Sequence, residues 1–352
     1  MATVNVELLK RLCETPGIPG REDQVRAVVI EELRPLVDDV RVDVMGNVIA
    51  TKAGKGGPRV MIAAHMDEIG FMVSYVDDHG FIRIHPVGGF DPRVLAAQRV
   101  LVHASDGRVF RGALQFSGKP IHLLAASEIK AIKMEELFVD IGLPADEVKS
   151  AIEIGDMVTL DRPLEEVGRC VMSKALDDRV SVFVMIEALR ALQGGNAEIV
   201  AVATTQEEVG LRGARTSAYA VDPDISIALD VTLALDIPDG KPYQRVSELG
   251  KGVAIKVMDG SVLSNHKLIQ HFRDIAERNN IPYQLEILPR GGTDAGAMQQ
   301  ARAGSAAITI SVPTRYVHTV NEMAAIDDIA GAINLLARFL EEAGTRTYGY
   351  DV

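Results

Sequence analysis

The chain has 352 residues, 47% of them hydrophobic, enough for one large core and a smaller one, and it reads as globular. Its 37 Lys and Arg against 49 Asp and Glu give a formal net charge of −12, which disfavours nucleic acid or an anionic membrane as a partner. The two cysteines, Cys13 and Cys170, are far apart in sequence and neither is close there to a candidate site, so no disulfide framework is expected; with no signal-like start and no run of about 18 uncharged apolar residues, the expected setting is the cytoplasm.

The opening NVELLKRLCETPGIPGREDQVRAVVIEELRPLV predicts two amphipathic helices around the turn TPGIPG. DDVRVDVMGNVIATKAG alternates about a turn-like MGN and predicts a hairpin. The run 60–64 is apolar without alternation, the mark of a strand covered on both faces, and His65, Asp67 and Glu68 follow it at once. Buried charges in such a place are costly unless they are paired or bound to metal. Residues 71–162 then break into short β-branched segments separated by Gly, Asp and Pro, with one helix near ADEVKSAIEIG, so a small β-rich insertion is predicted. After residue 163 strands and helices alternate again, from the helix ALDDRVSVFVMIEALRAL through the strands EIVAVATT, DISIALDVT and SAAITISV to the closing helix IDDIAGAINLLARFLEEAG. The predicted fold is α/β, a mostly parallel sheet flanked by helices and interrupted by the insertion.

The residues just after the buried strands collect one kind of chemistry: His65 and Asp67, Glu207 and Glu208, Asp230, and His318, with Asp177 and Asp178 opening a helix in the same half. Each has a plain reading alone: Glu207 and Glu208 as a solvated turn, Asp230 as a helix cap, His318 as a satisfied histidine. In an open α/β sheet, however, ligand sites gather beyond the carboxyl ends of the strands, so the architecture brings these residues to one edge and predicts a metal site. His65 and Asp67 project to the same side of an extended chain, so Asp67 can orient the imidazole while its other nitrogen binds metal. Asp177, Glu208 and Asp230 carry three negative charges against the four positive of two divalent ions, and a bridging hydroxide closes the balance. Two ions are therefore favoured, with Asp177 between them at the roughly 3.5–4 Å spacing of two-metal sites. Two histidines in an oxygen-rich set favour zinc, with cobalt or manganese compatible. Glu207 and Glu208 point opposite ways in extended chain, so one can bind metal while the other takes a proton from a water whose pKa the metal lowers from about 15.7 towards about 7. The chemistry predicted is hydrolysis of an amide.

The segments AAHMDEIGFMV, ALDDRVSVFV, TTQEEVGLRGAR, ALDVT, RGGTDAGAMQ and YVHTVNEMA, in this order and spacing, resemble the tetrahedral (TET) aminopeptidases and their relatives, dinuclear metallopeptidases of the glutamyl and deblocking aminopeptidase group. The likeness runs from TPGIPGRE to the last helix. It implies five metal ligands, His65, Asp177, Glu208, Asp230 and His318, with Asp177 bridging, Glu207 as general base and Asp67 orienting His65. It also implies a cis Asp177–Asp178 peptide, a β-rich dimerisation domain over residues 69–163 beside a catalytic domain of residues 1–68 and 164–352, and six dimers assembled into a homo-oligomeric dodecamer. The implied substrates are short peptides with a free N-terminus, trimmed one residue at a time.

RGGTDAGAMQ, residues 290–299, is a Gly-rich link from strand to helix in which Thr293 or Asp294 serves as an N-cap; by the resemblance, Gly292, Thr293 and Asp294 border the pocket for the first side chain. His85 and His122 fall in the insertion and are expected to be structural or solvent-facing, and Arg179 is expected to pair with the acids beside it. Three rival functions have distinct signatures. A co-catalytic hydrolase of acylated amino acids or peptide C-termini would prefer blocked N-termini, a glycoside hydrolase would show chelator-resistant cellulase activity, and a non-enzymatic assembly protein would show neither.

Overall fold

The structure, a computed structural model, describes residues 4–119, 121–125, 127 and 130–350. Asn5 caps α1 (Val6–Glu14) by accepting from the Leu8 backbone N–H, and Leu8, Leu9, Leu12 and Cys13 make its buried stripe. After the Pro/Gly turn comes α2 (Asp23–Leu33), then the antiparallel hairpin of β1 (Asp39–Val42) and β2 (Val48–Lys52). Next is β3 (Arg59–His65), buried from its second residue to its last.

By its internal contacts the described chain divides into two units, one running to Glu68 and resuming over Pro163–Val317 and from Asn321, the other Ile69–Arg162 with His318–Val320. The second unit contains β4 (Gly70–Val76), β5 (Ile82–Val87), β6 (Arg99–His103), β7 (Val109–Phe116), β8 (Leu137–Asp140), the short α3 (Ala145–Ala151) and β9 (Met157–Leu160). Its six strands pair antiparallel in the order β4-β5-β8-β7-β6-β9 and close on themselves, so no edge remains unpaired. Inward-facing Phe71, Val73, Val100, Val102, Leu114, Val139 and Val158 fill the barrel, and the rings of Phe71 and Phe90 stack with centroids 4.5 Å apart.

In the first unit, β10 (Glu165–Val167) and β11 (Cys170–Ser173) lead into α4 (Leu176–Ala191), followed by β12 (Glu198–Thr204), α5 (Arg212–Val221), β13 (Ile225–Leu233), β14 (Val253–Met258), α6 (His266–Arg278), β15 (Tyr283–Ile287), α7 (Asp294–Gln299), β16 (Ala306–Arg315), β17 (Glu322–Ala325) and α8 (Ile326–Glu342). One sheet runs β1-β2-β12-β3-β13-β16-β17-β11-β10, with β14 and then β15 branching from β16. Parallel pairs occupy the centre, β12 with β3, β3 with β13 and β13 with β16; the pairs toward both ends of the main path are antiparallel, and on the branch β14 pairs antiparallel with β16 and parallel with β15.

Alternate residues of β3 separate the two faces. Val60, Ile62 and Ala64 join a core with α1, α4, α6 and α8, whereas Met61 and Ala63 join one with α5 and α7. Parallel pairing puts the strand ends in register. His65 lies opposite Thr204, and Ala63 opposite Ala228, so Asp230, two residues on, reaches the level of His65. The carboxyl end of the central strands is therefore where the polar residues meet.

Candidate active site

His65 is the last residue of β3 and is almost fully buried. Its Nδ1 lies 3.0 Å from the Asp67 backbone carbonyl oxygen, and its Nε2 is 3.1 Å from Asp177 Oδ1 and 3.9 Å from Glu207 Oε2. An Nδ1–H donated to that carbonyl leaves the Nε2 lone pair turned toward the acids, the posture of a metal ligand. The Asp67 carboxylate, fully buried, sits 3.7 Å from Nδ1 and has another task. Its two oxygens accept the backbone N–H groups of Glu207 and Glu208, each at 3.1 Å. Asp67 thus fixes the loop after β12, in which Gln206 adopts φ 56°, and so aims both glutamates.

Asp177 and Asp178 are the second and third residues of α4, whose N-cap Ala175 has a left-handed φ of 55°, and the peptide bond between them is cis. The Asp177 N–H donates to Glu322 Oε2 at 3.0 Å, and the His65 N–H donates to Asp178 Oδ2 at 3.2 Å. Two sets of donor atoms, each within 4.8 Å of one another, share the imidazole: His65 with Asp177 and Glu208, and His65 with Asp178 and Asp230. Asp178 is the addition to the sequence-based set, and nothing in sequence distinguishes it from its neighbour Asp177. His318 follows β16 with φ 63°, belongs with the barrel unit and approaches Gly89 there.

So many acids around one imidazole are an unstable set without further positive charge. Burial, then the Asp230 charge, holds Asp178 well above the usual carboxylate range; burial and Asp177 do the same to Asp230. Glu207 is raised by burial and by Asp230, Asp294 and Glu208, against the pull of His65. Burial works to lower the His65 pKa, but its hydrogen bond to Asp177 and the charges of Glu207, Asp178 and Asp67 outweigh it, and the imidazole is held well above its ordinary value. Asp178 Oδ1 and Asp294 Oδ1 are buried with no hydrogen-bond partner among the described residues. A divalent cation supplies the missing charge and displaces the imidazole proton, so these residues fit a metal.

Thr204 Oγ1 donates to Asp294 Oδ2 at 2.6 Å, and burial raises the Asp294 carboxyl to about 6 despite that bond. The Thr293 hydroxyl is engaged internally with Asp259 and Thr309, while a side chain at Gly292 would press on Ser261. Arg179, expected to pair with Asp177 and Asp178, turns the other way. The carbonyls of Leu12, Thr15 and Gly17 need donors, the guanidinium fork supplies them, and its ion pair is with Glu68 at 3.7 Å. His85 and His122 are exposed.

Because Asp67 receives two N–H groups, Asp67→Asn leaves one acceptor oxygen for two donors. Metal affinity measured by calorimetric titration is expected to fall by about 10–100-fold, the usual scale for a residue that orients ligands. An unchanged affinity in the folded variant would refute this role.

Fold and donor set define a class, the α/β metalloproteins whose histidine and acids meet at the carboxyl ends of parallel strands. Residues 46–335 match the family described as M42 glutamyl aminopeptidase, and the chain belongs to that family. The solved structure of an aminopeptidase from the archaeon Desulfurococcus kamchatkensis is similar, with a TM-score of 0.92 at 42% identity, covering 96% of this chain and 94% of that one. Lysyl aminopeptidase of Pyrococcus furiosus is 38% identical over 346 residues, 96% of this chain and 97% of its own. The Pyrococcus horikoshii TET1 peptidase, described as able to assemble into a tetrahedron or a large octahedral shell, has a TM-score of 0.85 at 31% identity and covers 96% of this chain and 99% of its own. The TET resemblance is borne out, and the chain is a metal-dependent aminopeptidase, a hydrolase of peptide bonds.

Proposed function

We propose that this aminopeptidase works with two divalent ions, zinc in first place and cobalt or manganese as alternatives, which His65, Asp177, Glu208, Asp230 and His318 would hold. The observation that carries the reading is the convergence of His65, Asp177, Asp178, Glu208 and Asp230 in two donor sets within 4.8 Å, with Glu207 Oε2 3.9 Å from the shared imidazole. When bound, such ions polarise the scissile carbonyl and make water acidic. Glu207 takes a proton from the attacking water and returns it to the departing amine nitrogen as the C–N bond breaks. Its side chain, lying 3.9 Å from the His65 imidazole, is placed among the donor groups for both steps. The acids nearby offer an anionic partner to the substrate's free α-ammonium group, which fixes the first peptide bond against the base. Gly292, Thr293 and Asp294 border the pocket for the first side chain.

The substrates are short peptides with a free N-terminus, the setting is the cytoplasm, and the assembly is a dimer-based homo-oligomer, a dodecamer in the fullest form. A helix long and apolar enough to cross a membrane does not occur among the described residues. The related TET1 peptidase supports the oligomer, and the barrel over residues 69–163 is its dimerisation element. Aminoacyl-anilides carrying acidic, basic and aliphatic side chains, each free and N-acetylated, test the substrate reading. Cleavage of free forms alone is expected, with one side-chain class preferred; cleavage of acetylated forms alone would transfer the activity to an acylamino-acid hydrolase.

A further inference from the structure

A second buried charged cluster is made of Glu68, Lys174 and Arg179, whose side chains are 2%, 5% and 0% exposed. Glu68 Oε2 accepts from Lys174 Nζ at 2.6 Å, and Oε1 accepts the Gly17 N–H at 3.2 Å and lies 3.7 Å from Arg179 Nη2. Lys174 also donates to the Cys13 carbonyl at 2.8 Å. Cys13, remote from the site in sequence, is thus close to it in space. Gly17 is required for the close approach, because a Cβ there would come within 2.9 Å of Val25 and 3.2 Å of Arg179.

The placement of these charges along the chain is what makes them informative. Lys174 stands immediately before Ala175, and Arg179 immediately after Asp178, so one carboxylate engages both ends of the stretch that presents Asp177 and Asp178. That same carboxylate belongs to the residue after Asp67, which aims Glu207 and Glu208 through their N–H groups. Glu68 is therefore the joint between the segment carrying His65 and Asp67 and the segment carrying Asp177 and Asp178, two parts of the chain more than a hundred residues apart. Its pairing with a lysine and an arginine leaves one net positive charge in this buried cluster. Arg179 is under the pull of Asp67 and Glu22 as well as Glu68.

We infer that Glu68 is a positioning residue that sets the spacing between these two ligand-bearing segments, with Lys174 and Arg179 as its cationic backing. This rests on the metalloenzyme reading of the site. Its carboxylate acts through Gly17, Lys174 and Arg179 and is not proposed to contact substrate.

The test uses the full chain loaded with cobalt, whose visible absorption reports ligand geometry directly. Glu68→Gln retains the length of the side chain and removes its charge. It is expected to weaken cobalt binding by about 10–100-fold in calorimetric titration, alter the cobalt spectrum, and lower kcat by a similar factor with KM changed by less than about threefold. Should loss of the charge prevent folding, the double variant Glu68→Gln with Lys174→Met, which removes a buried cation along with the anion, carries the same expectations. Wild-type cobalt affinity and spectrum in a folded variant, whatever its Tm, would overturn the proposal and leave Glu68 a stabilising residue only. Cobalt binding is read without any peptide: a wild-type chain that binds cobalt but cleaves nothing would defeat the aminopeptidase mechanism alone, whereas one that binds no cobalt would defeat both.

Discussion

Glu207→Gln is expected to lower kcat by about a hundred- to ten-thousand-fold while leaving KM and bound metal close to wild type. The substitution keeps the side-chain shape and removes the ability to accept a proton. The loop that carries Glu207 should survive, because main-chain groups hold it: the Glu207 and Glu208 N–H groups on Asp67, and the Gly210 and Leu211 N–H groups on the Glu207 carbonyl. The side chain itself is restrained chiefly by charge, lying 3.9 Å from the His65 imidazole. Burial, together with the charges of Asp230, Asp294 and Glu208, disfavours a negative charge there by more than the pull of His65 favours it, so the neutral variant should be at least as stable as wild type without metal. A folded variant that binds metal and retains more than about a tenth of wild-type kcat would eliminate Glu207 as the general base. Loss of metal together with activity would instead reassign it as a ligand.

Strand ends were the most legible part of the site. An unalternating apolar run predicts a strand covered on both faces, and parallel pairing then fixes which residues share a level. His65 opposite Thr204, with Asp230 two residues beyond the pair Ala63 and Ala228, is the outcome. Residues acting through distant partners were not legible. Periodicity reports which face a side chain occupies, not what waits there, so Arg179 reads as a partner for the acids beside it although its guanidinium is drawn to the carbonyls of a turn more than 160 residues earlier. Asp67 illustrates the same limit. The reading that it orients His65 follows from alternation in extended chain, but its carboxylate is spent on two backbone N–H groups of another loop, and the imidazole takes its carbonyl. The barrel shows a third kind of gap: short β-branched runs announce strands, whereas the closing contact of β4 with β9 joins the two ends of the unit and has no local signature.

Removing the metal should abolish activity and also destabilise the fold by an amount that grows as pH rises. In the metal-free chain Asp294 is raised from 3.8 to about 6, and Asp178, Glu207 and Asp230 are raised well above their ordinary values. Between its unfolded and folded values each of these groups still holds a proton in the native state that the unfolded chain has released. The native state then binds more protons, so stability falls with rising pH, beginning near 3.8 and extending to about 6 for Asp294 and higher for the other three. His65 acts in the same direction, because its raised folded pKa contributes stability that is complete below the unfolded value and disappears as pH climbs through the folded one. Metal reverses the trend: the ligands bind deprotonated, so affinity rises with pH, and free metal at a thousand times Kd adds about 4 kcal/mol to the native state. Calorimetric scans of chelated and reloaded protein at several values between about pH 5 and 8 should therefore show a widening gap in Tm. Acid effects common to both forms cancel in that gap. Asp230→Asn, which removes one raised acid and one donor, should narrow it and flatten its pH dependence; a gap that is constant, or that closes as pH rises, would mean that the acids are not held together by a bound cation.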